Sequence, residues 1–207
     1  MNIERKSDEI NPDWFSLEPA KKEIKQYKLS ADQECALFDI TNWLYAEIKK
    51  PEDCFFSLTG SAGTGKTTLI SAVISNLQGK FVNKTCVSAP THKAKKVIAD
   101  KSGCNESETV QALLGLKPDL DIENFDINNP TFSPINQKKM STYKLLIIDE
   151  GSMVNSDLNA IICEDAVKFG VKIIFVGDYL QLPPVKEKIS KALSSPVNKY
   201  ELTEVIR

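Results

Sequence analysis

Hydrophobic and polar residues alternate along the chain in blocks that predict strands and helices in turn. Five short apolar-rich segments have the length of buried strands, at 54–60, 84–90, 144–150, 171–178 and 199–205. Four longer segments carry apolar residues at helical spacing, at 29–50, 67–80, 92–103 and 156–170. The continuous apolar runs "LLII" and "IIFV" are typical of strands buried on both faces of a parallel sheet. The pattern therefore predicts a three-layer α/β domain around a mostly parallel sheet.

Capping signals locate the ends of two predicted helices. Ser30 stands before the first helical segment and Gln33 follows three residues later, which is the arrangement of a capping box. Gly79 is expected to end the helix that starts near residue 67, because glycine adopts the left-handed conformation that ends many helices.

Two regions depart from the alternation. Residues 1–28 are polar and contain two prolines, so we interpret them as an N-terminal extension. The segment 116–139 is rich in Asn and Pro and is too long for an ordinary connection between elements. The rest of the chain, 29–207, is interpreted as one domain that contains this insertion.

The composition is that of a soluble globular protein, with 42% hydrophobic and 26% charged residues. A net charge of -2 excludes a chain that binds nucleic acid through overall positive charge, so any polyanion must be bound locally. No run approaches the ~18 apolar residues that a membrane span needs. The charged N-terminus is not followed by the apolar segment of a signal peptide. We therefore expect a cytoplasmic protein without a membrane partner, in the host cytoplasm if a phage encodes it.

Cysteine and histidine are too few and too scattered for common metal or disulfide frameworks. The five cysteines are odd in number and form no C-x-x-C pair, and His92 is the single histidine. A metal site in this chain would therefore depend on oxygen ligands, which favour magnesium.

Residues 60–67 match the pattern G-x-x-x-x-G-K-[ST] between a predicted strand and a predicted helix, which is the context of a P-loop. The glycines let backbone N–H groups turn toward phosphate oxygens, and the helix N-terminus adds positive potential. Lys66 is expected to bridge the β and γ phosphates, and Thr67 to offer its hydroxyl to Mg²⁺. The residues predicted to bind ATP and Mg²⁺ are Gly60, Ser61, Ala62, Gly63, Thr64, Gly65, Lys66, Thr67 and Thr68.

Acidic and amide side chains follow two further strands. Asp149 and Glu150 end the strand "KLLIIDE", where two adjacent carboxylates need a cation or a ligand. We expect Asp149 to hold Mg²⁺ and Glu150 to act as the general base, on a strand neighbouring that of the P-loop. Gln181 lies just after the strand at 171–178 and is a candidate for contact with the γ phosphate.

Six segments occur in order along the chain: "GSAGTGKTT", "APTHKAKK", "TVQALLG", "IIDEGSM", "GDYLQLPPV" and "LTEVIR". They resemble motifs I, Ia, Ib, II, III and the start of motif IV of superfamily 1 helicases in the 5′ to 3′ branch, most of all the Dda-like and RecD-like enzymes. The resemblance implies that 29–207 is a RecA-like motor domain, with a small β-hairpin insertion at about 117–142. It implies an ATP-dependent DNA helicase that moves 5′ to 3′ on single-stranded DNA as a monomer and acts at duplex forks in replication, repair or recombination. It also implies a second RecA-like domain that this chain does not include, so we expect slow ATP hydrolysis and no unwinding by the 207 residues alone.

The resemblance also suggests roles for particular residues. Gln33 would read the adenine edge, as an alternative to its role in the capping box. The residues that would contact single-stranded DNA are Thr91, His92, Lys93 and Thr109, with Phe132, ahead of Phe125, as a wedge that stacks on the separating base pair. Arg207 would reach the γ phosphate from motif IV. Gly151 departs from the family, which commonly has Ala or Val there.

Three other classes share part of this pattern. A small-molecule phosphotransferase of the nucleotide kinase type has a P-loop but gives no reason for "GDYLQLPP". A standalone ATPase of the PhoH type has similar motifs, against which "QLPPV" and "APTHKAKK" favour the helicase. A non-catalytic module is disfavoured by the intact residues Lys66, Thr67, Asp149, Glu150 and Gln181.

Overall fold

Six strands in the described part of the chain form one parallel sheet. The computed structural model describes residues 27–118, 132–134, 138–184 and 187–206, and for 117–118 and 132–134 only the backbone. The sheet strands are β1 (Phe55–Gly60), β2 (Thr85–Ala89), β3 (Ser107–Thr109), β6 (Leu145–Ile148), β7 (Lys172–Gly177) and β8 (Asn198–Leu202), and a separate hairpin contains β4 (Leu116–Pro118) and β5 (Phe132–Pro134). The order in the sheet is β3-β2-β6-β7-β1-β8.

Helices cover both faces of the sheet. They are α1 (Ala31–Tyr45), α2 (Lys66–Ser75), α3 (His92–Ser102), α4 (Val110–Leu114), α5 (Ser156–Phe169) and α6 (Lys191–Ser194). Ile147 and Ile174 face the core that includes α1, α2 and α3. Leu146 and Ile173 face the core that includes α4, α5 and α6. Because side chains alternate between the faces of a strand, a continuous apolar run fills both cores. The predicted three-layer α/β fold is confirmed.

The sequence located most helices and strands but missed three short ones. Strand β3 and helices α4 and α6 have three to five residues each, too few to show a periodic pattern. The predicted strand at 199–205 is shorter and ends at Leu202, after which the chain leaves the sheet.

The prediction that Gly79 ends α2 is wrong. The helix ends at Ser75 with Asn76 as its C-cap. The Nδ2 group of Asn76 donates to the Ala72 carbonyl at 2.8 Å, and the Asn76 backbone N–H donates to the same oxygen at 3.2 Å. An asparagine that bonds to the preceding turn competes with helix continuation. Gly79, with φ of +58°, instead begins a 3-10 turn over Gly79–Phe81.

The insertion contains the two-stranded hairpin that the resemblance implied. Strands β4 and β5 are antiparallel, with Leu116 opposite Pro134 and Pro118 opposite Phe132. Phe125 and residues 1–26 lie outside the described residues. The boundaries of the extension and of the insertion therefore stay predictions, and the role of Phe132 rests on its backbone position alone.

A buried lysine connects the sheet to the end of α1. Lys172 is 1% exposed, and its ammonium group donates to the carbonyl of Trp43 and, at 2.9 Å, to that of Ala46. The ammonium also lies 4.7 Å from the centroid of the Trp43 ring. These carbonyls belong to the last turn of α1, where a cation is favourable. Burial nevertheless lowers the pKa of Lys172 to about 8, because desolvation disfavours the charged form.

None of the helices in the described ranges is long and apolar enough to cross a bilayer.

The stability of the domain is expected to depend on the titration of Lys172. Its pKa falls from 10.5 in the unfolded chain to about 8 in the fold, so between these values the unfolded chain binds more protons. The free energy of unfolding should therefore rise with pH in this window, by at most about 3 kcal/mol. Urea unfolding across the window should show this rise in the wild type and lose it in Lys172→Met. Parallel pH profiles for the two proteins would contradict this assignment.

Candidate nucleotide-binding site

The ends of three adjacent strands bring the predicted nucleotide residues to one edge of the sheet. Strand β7 pairs in parallel with β1 on one side and with β6 on the other. The P-loop follows β1, the acidic pair follows β6, and Asp178 follows β7. The expectation that the acidic pair follows a strand adjacent to β1 is wrong, because β7 lies between them. The extra strand adds the buried carboxylate of Asp178 to the centre of the site.

The P-loop is shaped by left-handed glycines and by close packing. Gly65 has φ of +76°, and a Cβ atom there would lie 2.4 Å from Nε2 of Gln33 and 2.8 Å from Cδ1 of Ile206. The hydroxyl of Thr64 donates to the Ser61 carbonyl at 2.9 Å and closes the turn. Helix α2 starts directly afterwards at Lys66, so its N-terminal N–H groups face the loop.

Lys66 lies within this loop and close to two carboxylates. Its ammonium donates to the carbonyls of Gly60 at 2.6 Å and Ser61 at 3.0 Å. Burial lowers the pKa of Lys66, while the charges of Asp178 and Asp149 oppose that shift. The Lys66 ammonium is therefore bonded to backbone carbonyls, and a phosphate can replace these carbonyls as its partner.

Asp149 and Glu150 have the features of a metal ligand and a base. Burial raises the pKa of Asp149, opposed by the hydrogen bond from the Glu150 backbone and by the charge of Lys66. Burial and the charge of Asp149 both raise the pKa of Glu150. Asp149 is a half-buried carboxylate that a nearby cation would stabilise, and with the hydroxyl of Thr67, the second residue of α2, it fits magnesium.

Backbone geometry holds the acidic pair at the strand end. Glu150 has φ of +53°, which is unusual for a residue other than glycine, and its N–H donates to Oδ1 of Asp149 at 2.9 Å. Gly151 follows and is buried. A Cβ atom at Gly151 would lie 3.0 Å from Cδ2 of Leu193 and 3.2 Å from the carbonyl of Val176. The close packing of α6 therefore explains why glycine stands at this position.

Gln181 is oriented by a serine that sequence reasoning did not select. The Oγ atom of Ser152 donates to Oε1 of Gln181 at 3.3 Å, although the two residues are 29 positions apart. Ser152 is 3% exposed and lies in the turn after the acidic pair. Because the amide oxygen of Gln181 accepts the bond from Ser152, the amide N–H groups of Gln181 are its donors available to a ligand. The "GSM" segment alone gives no sign of this contact.

Gln33 makes contacts with both ends of its amide. Its Oε1 accepts from the Ser30 N–H at 3.0 Å, which completes the predicted capping box. Its Nε2 donates to the P-loop carbonyls of Gly65 at 3.1 Å and Thr64 at 3.4 Å. The capping role is therefore confirmed, and contact with adenine stays a prediction.

The predicted DNA-binding residues with described side chains follow strands β2 and β3. Thr91 caps α3 and accepts from the Ala94 N–H at 3.2 Å. Thr109 caps α4 and accepts from Ala112 at the same distance. His92 and Lys93 are exposed in the first turn of α3. These residues share the carboxyl edge of the sheet with the nucleotide residues but lie on its β3-β2 side. Arg207 lies outside the described residues.

Comparisons with known proteins identify the family. A family model described as an AAA domain, AAA_30, matches residues 43–207. The chain belongs to the AAA_30 family. This AAA_30 chain is 32% identical to the ATP-dependent DNA helicase dda of Enterobacteria phage T4 over 157 residues, which cover 73% of this chain and 34% of that protein. It is 30% identical to the ATP-dependent DNA helicase PIF1 of Emericella nidulans, across 70% of this chain and 20% of that protein.

A solved structure supports the same assignment. Unliganded Pif1 from Bacteroides sp matches the AAA_30 chain with a TM-score of 0.54 and 25% identity, over 86% of this chain and 42% of that one. The AAA_30 chain spans about a third of the first curated relatives it matches. The resemblance to superfamily 1 helicases that the motifs indicated is confirmed.

The close approach at Gly65 predicts an unequal effect of two glycine substitutions. Gly65→Ala and Gly103→Ala each add a Cβ to a left-handed residue, but the added atom at Gly103 has nothing within 4 Å. The left-handed backbone alone costs about 1 kcal/mol. We expect Gly65→Ala to lower the free energy of unfolding by about 1 to 3 kcal/mol more than Gly103→Ala does, because Gln33 and the chain at Ile206 must move. Urea unfolding measures both variants, and equal losses would refute the proposed packing.

Proposed function

We propose that this chain is the ATP-binding motor domain of a DNA helicase that moves 5′ to 3′ along single-stranded DNA. The observation that carries the proposal is the placement of Lys66, Asp149 and Asp178 just beyond the carboxyl ends of three adjacent strands. The relatives named as ATP-dependent DNA helicases favour this function over a nucleotide kinase or a standalone ATPase.

Phosphate binding would use the P-loop backbone and Lys66. The N–H groups of residues 60–68 and the start of α2 supply positive potential for an anion. Lys66 would exchange its bonds to the Gly60 and Ser61 carbonyls for bonds to the β and γ phosphates of ATP. Thr67 and Asp149 would hold Mg²⁺, which neutralises phosphate charge when bound.

Hydrolysis would then depend on Glu150 and Gln181. The raised pKa of Glu150 suits a general base that accepts a proton from water near neutral pH. Gln181, oriented by Ser152, would donate to a γ phosphate oxygen. Arg207 would add a positive charge at the γ phosphate, as the family resemblance implies. Gln33 would contact the adenine edge if the nucleotide displaces the hydrogen bonds from its amide to the P-loop carbonyls.

Movement on DNA would use the other half of the same sheet edge. Thr91, His92, Lys93 and Thr109 would contact the strand, and Phe132 on the hairpin would stack at the fork. Bacteroides Pif1 has been solved with ADP-AlF3 and ssDNA, and it is 26% identical to this chain with a TM-score of 0.50. A second RecA-like domain would close on the nucleotide, so that ATP binding changes the grip on DNA. Replication, repair and recombination are the processes in which such an enzyme would act.

Nucleotide binding tests the proposal directly. Isothermal titration calorimetry should detect Mg-ADP binding to the wild-type chain, and Lys66→Ala should weaken it by about tenfold or more. Lys84→Ala is the matched control, because Lys84 is an exposed lysine at the amino end of β2, on the opposite edge of the sheet. Unchanged affinity in Lys66→Ala, or no binding by the wild type, would overturn the assignment.

Substitutions at Thr91 separate DNA contact from helix capping. Aspartate and serine both cap helices well, so Thr91→Asp and Thr91→Ser should keep the free energy of unfolding within about 1 kcal/mol of the wild type. Thr91→Asp adds a negative charge that phosphate repels, and it should weaken binding of a labelled single-stranded oligonucleotide by about tenfold. Fluorescence anisotropy provides the measurement. Equal affinities for the two variants would show that Thr91 only caps α3.

A further inference from the structure

A short segment after the last strand lies across the P-loop. Residues 203–206, here called the strap, follow β8 and are exposed. The N–H of Ile206 donates to the Gly63 carbonyl at 2.9 Å. The Ile206 side chain packs so close to Gly65 that an added Cβ there would lie 2.8 Å from its Cδ1 atom. The strap therefore contacts two of the glycines that shape the loop.

One carboxylate of α1 binds the start of the strap. Oδ2 of Asp32 accepts hydrogen bonds from the backbone N–H of Thr203 at 2.8 Å and of Glu204 at 3.1 Å. Its Oδ1 accepts from the hydroxyl of Tyr200 in β8 at 3.0 Å. Partial desolvation raises the pKa of Asp32, but the hydrogen bonds from Glu204, Thr203 and Tyr200 lower it on balance. These hydrogen bonds attach the strap to α1.

The next residue of α1 binds the P-loop itself. Gln33 donates to the carbonyls of Thr64 and Gly65, as described above. Two consecutive residues in the first turn of α1 therefore hold the strap and the loop, and Ile206 closes the connection between them. The position of the strap on the loop depends on both contacts.

We propose that Asp32 is a positioning residue of the nucleotide site, which holds the strap on the P-loop and so keeps Gly63 and Gly65 in their phosphate-binding conformation. The inference deepens the proposed function and rests on it, because its consequence is a change in nucleotide affinity. Asp32 contacts no nucleotide in this scheme. It acts through the strap and the hydrogen bond from Ile206 to Gly63.

A general effect of negative charge at the start of α1 is the competing explanation. Asp32 and Glu34 both lie in the first turn, where acidic groups favour the helix dipole. Glu34 is exposed and takes no part in the strap contacts. Glu34→Ala therefore removes the same charge from the same turn and is the matched control for Asp32→Ala.

The experiment combines amide exchange with nucleotide affinity in the 207-residue chain. In Asp32→Ala, exchange of the Thr203, Glu204 and Ile206 amides measured by NMR should be about tenfold faster, with the central turns of α1 unchanged. The dissociation constant for Mg-ADP should rise about fivefold. Asp32→Asn, which keeps an oxygen acceptor, should recover part of that affinity, and Glu34→Ala should match the wild type in both measurements.

The outcomes separate this inference from the proposed function. A wild-type chain that does not bind Mg-ADP would overturn the function, whereas binding that Asp32→Ala leaves unchanged overturns only the role of Asp32. Equal effects of Asp32→Ala and Glu34→Ala, or no recovery in Asp32→Asn, would also overturn it. If Asp32→Ala does not fold, Tyr200→Phe removes only the hydroxyl bonded to Oδ1. It should speed exchange of Thr203 to a smaller extent, and an unchanged rate there would refute the inference.

Discussion

The structure depends on the shared direction of its six sheet strands. Because every strand of this sheet runs parallel to its neighbours, the loops that follow β1, β6 and β7 meet at one edge. The ammonium of Lys66 is thereby placed where the charges of Asp149 and Asp178 act on it. Lys66 and Asp149 are partly buried, and their opposite charges offset part of the cost of removing each from water.

The same edge divides into two halves that suit a motor. The loops after β6, β7 and β1 carry the nucleotide residues, and those after β2 and β3 carry the threonines proposed to contact DNA. Strand β6 pairs with β2, so the acidic pair stands next to the half of the edge that carries these threonines. The Asp149 N–H donates to the Ser88 carbonyl of β2 at 2.9 Å, which connects the two halves directly.

Helix α1 has a structural role at each of its ends. At its C-terminal end, Lys172 of β7 donates to its last carbonyls from within the core. At its N-terminal end, Asp32 and Gln33 hold the strap and the P-loop. Because glycine restricts its own backbone less than other residues do, contacts from α1 and the strap help to set the conformation of the loop.

The sequence by itself determined the fold class, the P-loop, the acidic pair and the family. Each of these depends on local signals: apolar runs long enough to show their period, glycines at fixed spacing, and six motifs in order. Tertiary structure decided what depends on residues far apart in the chain. The insertion of β7 between β1 and β6, the contact of Ser152 with Gln181, and the attachment of the strap to Asp32 join positions 27 to 172 residues apart. No local pattern encodes such contacts, because they arise only when separate strands and helices pack into one edge.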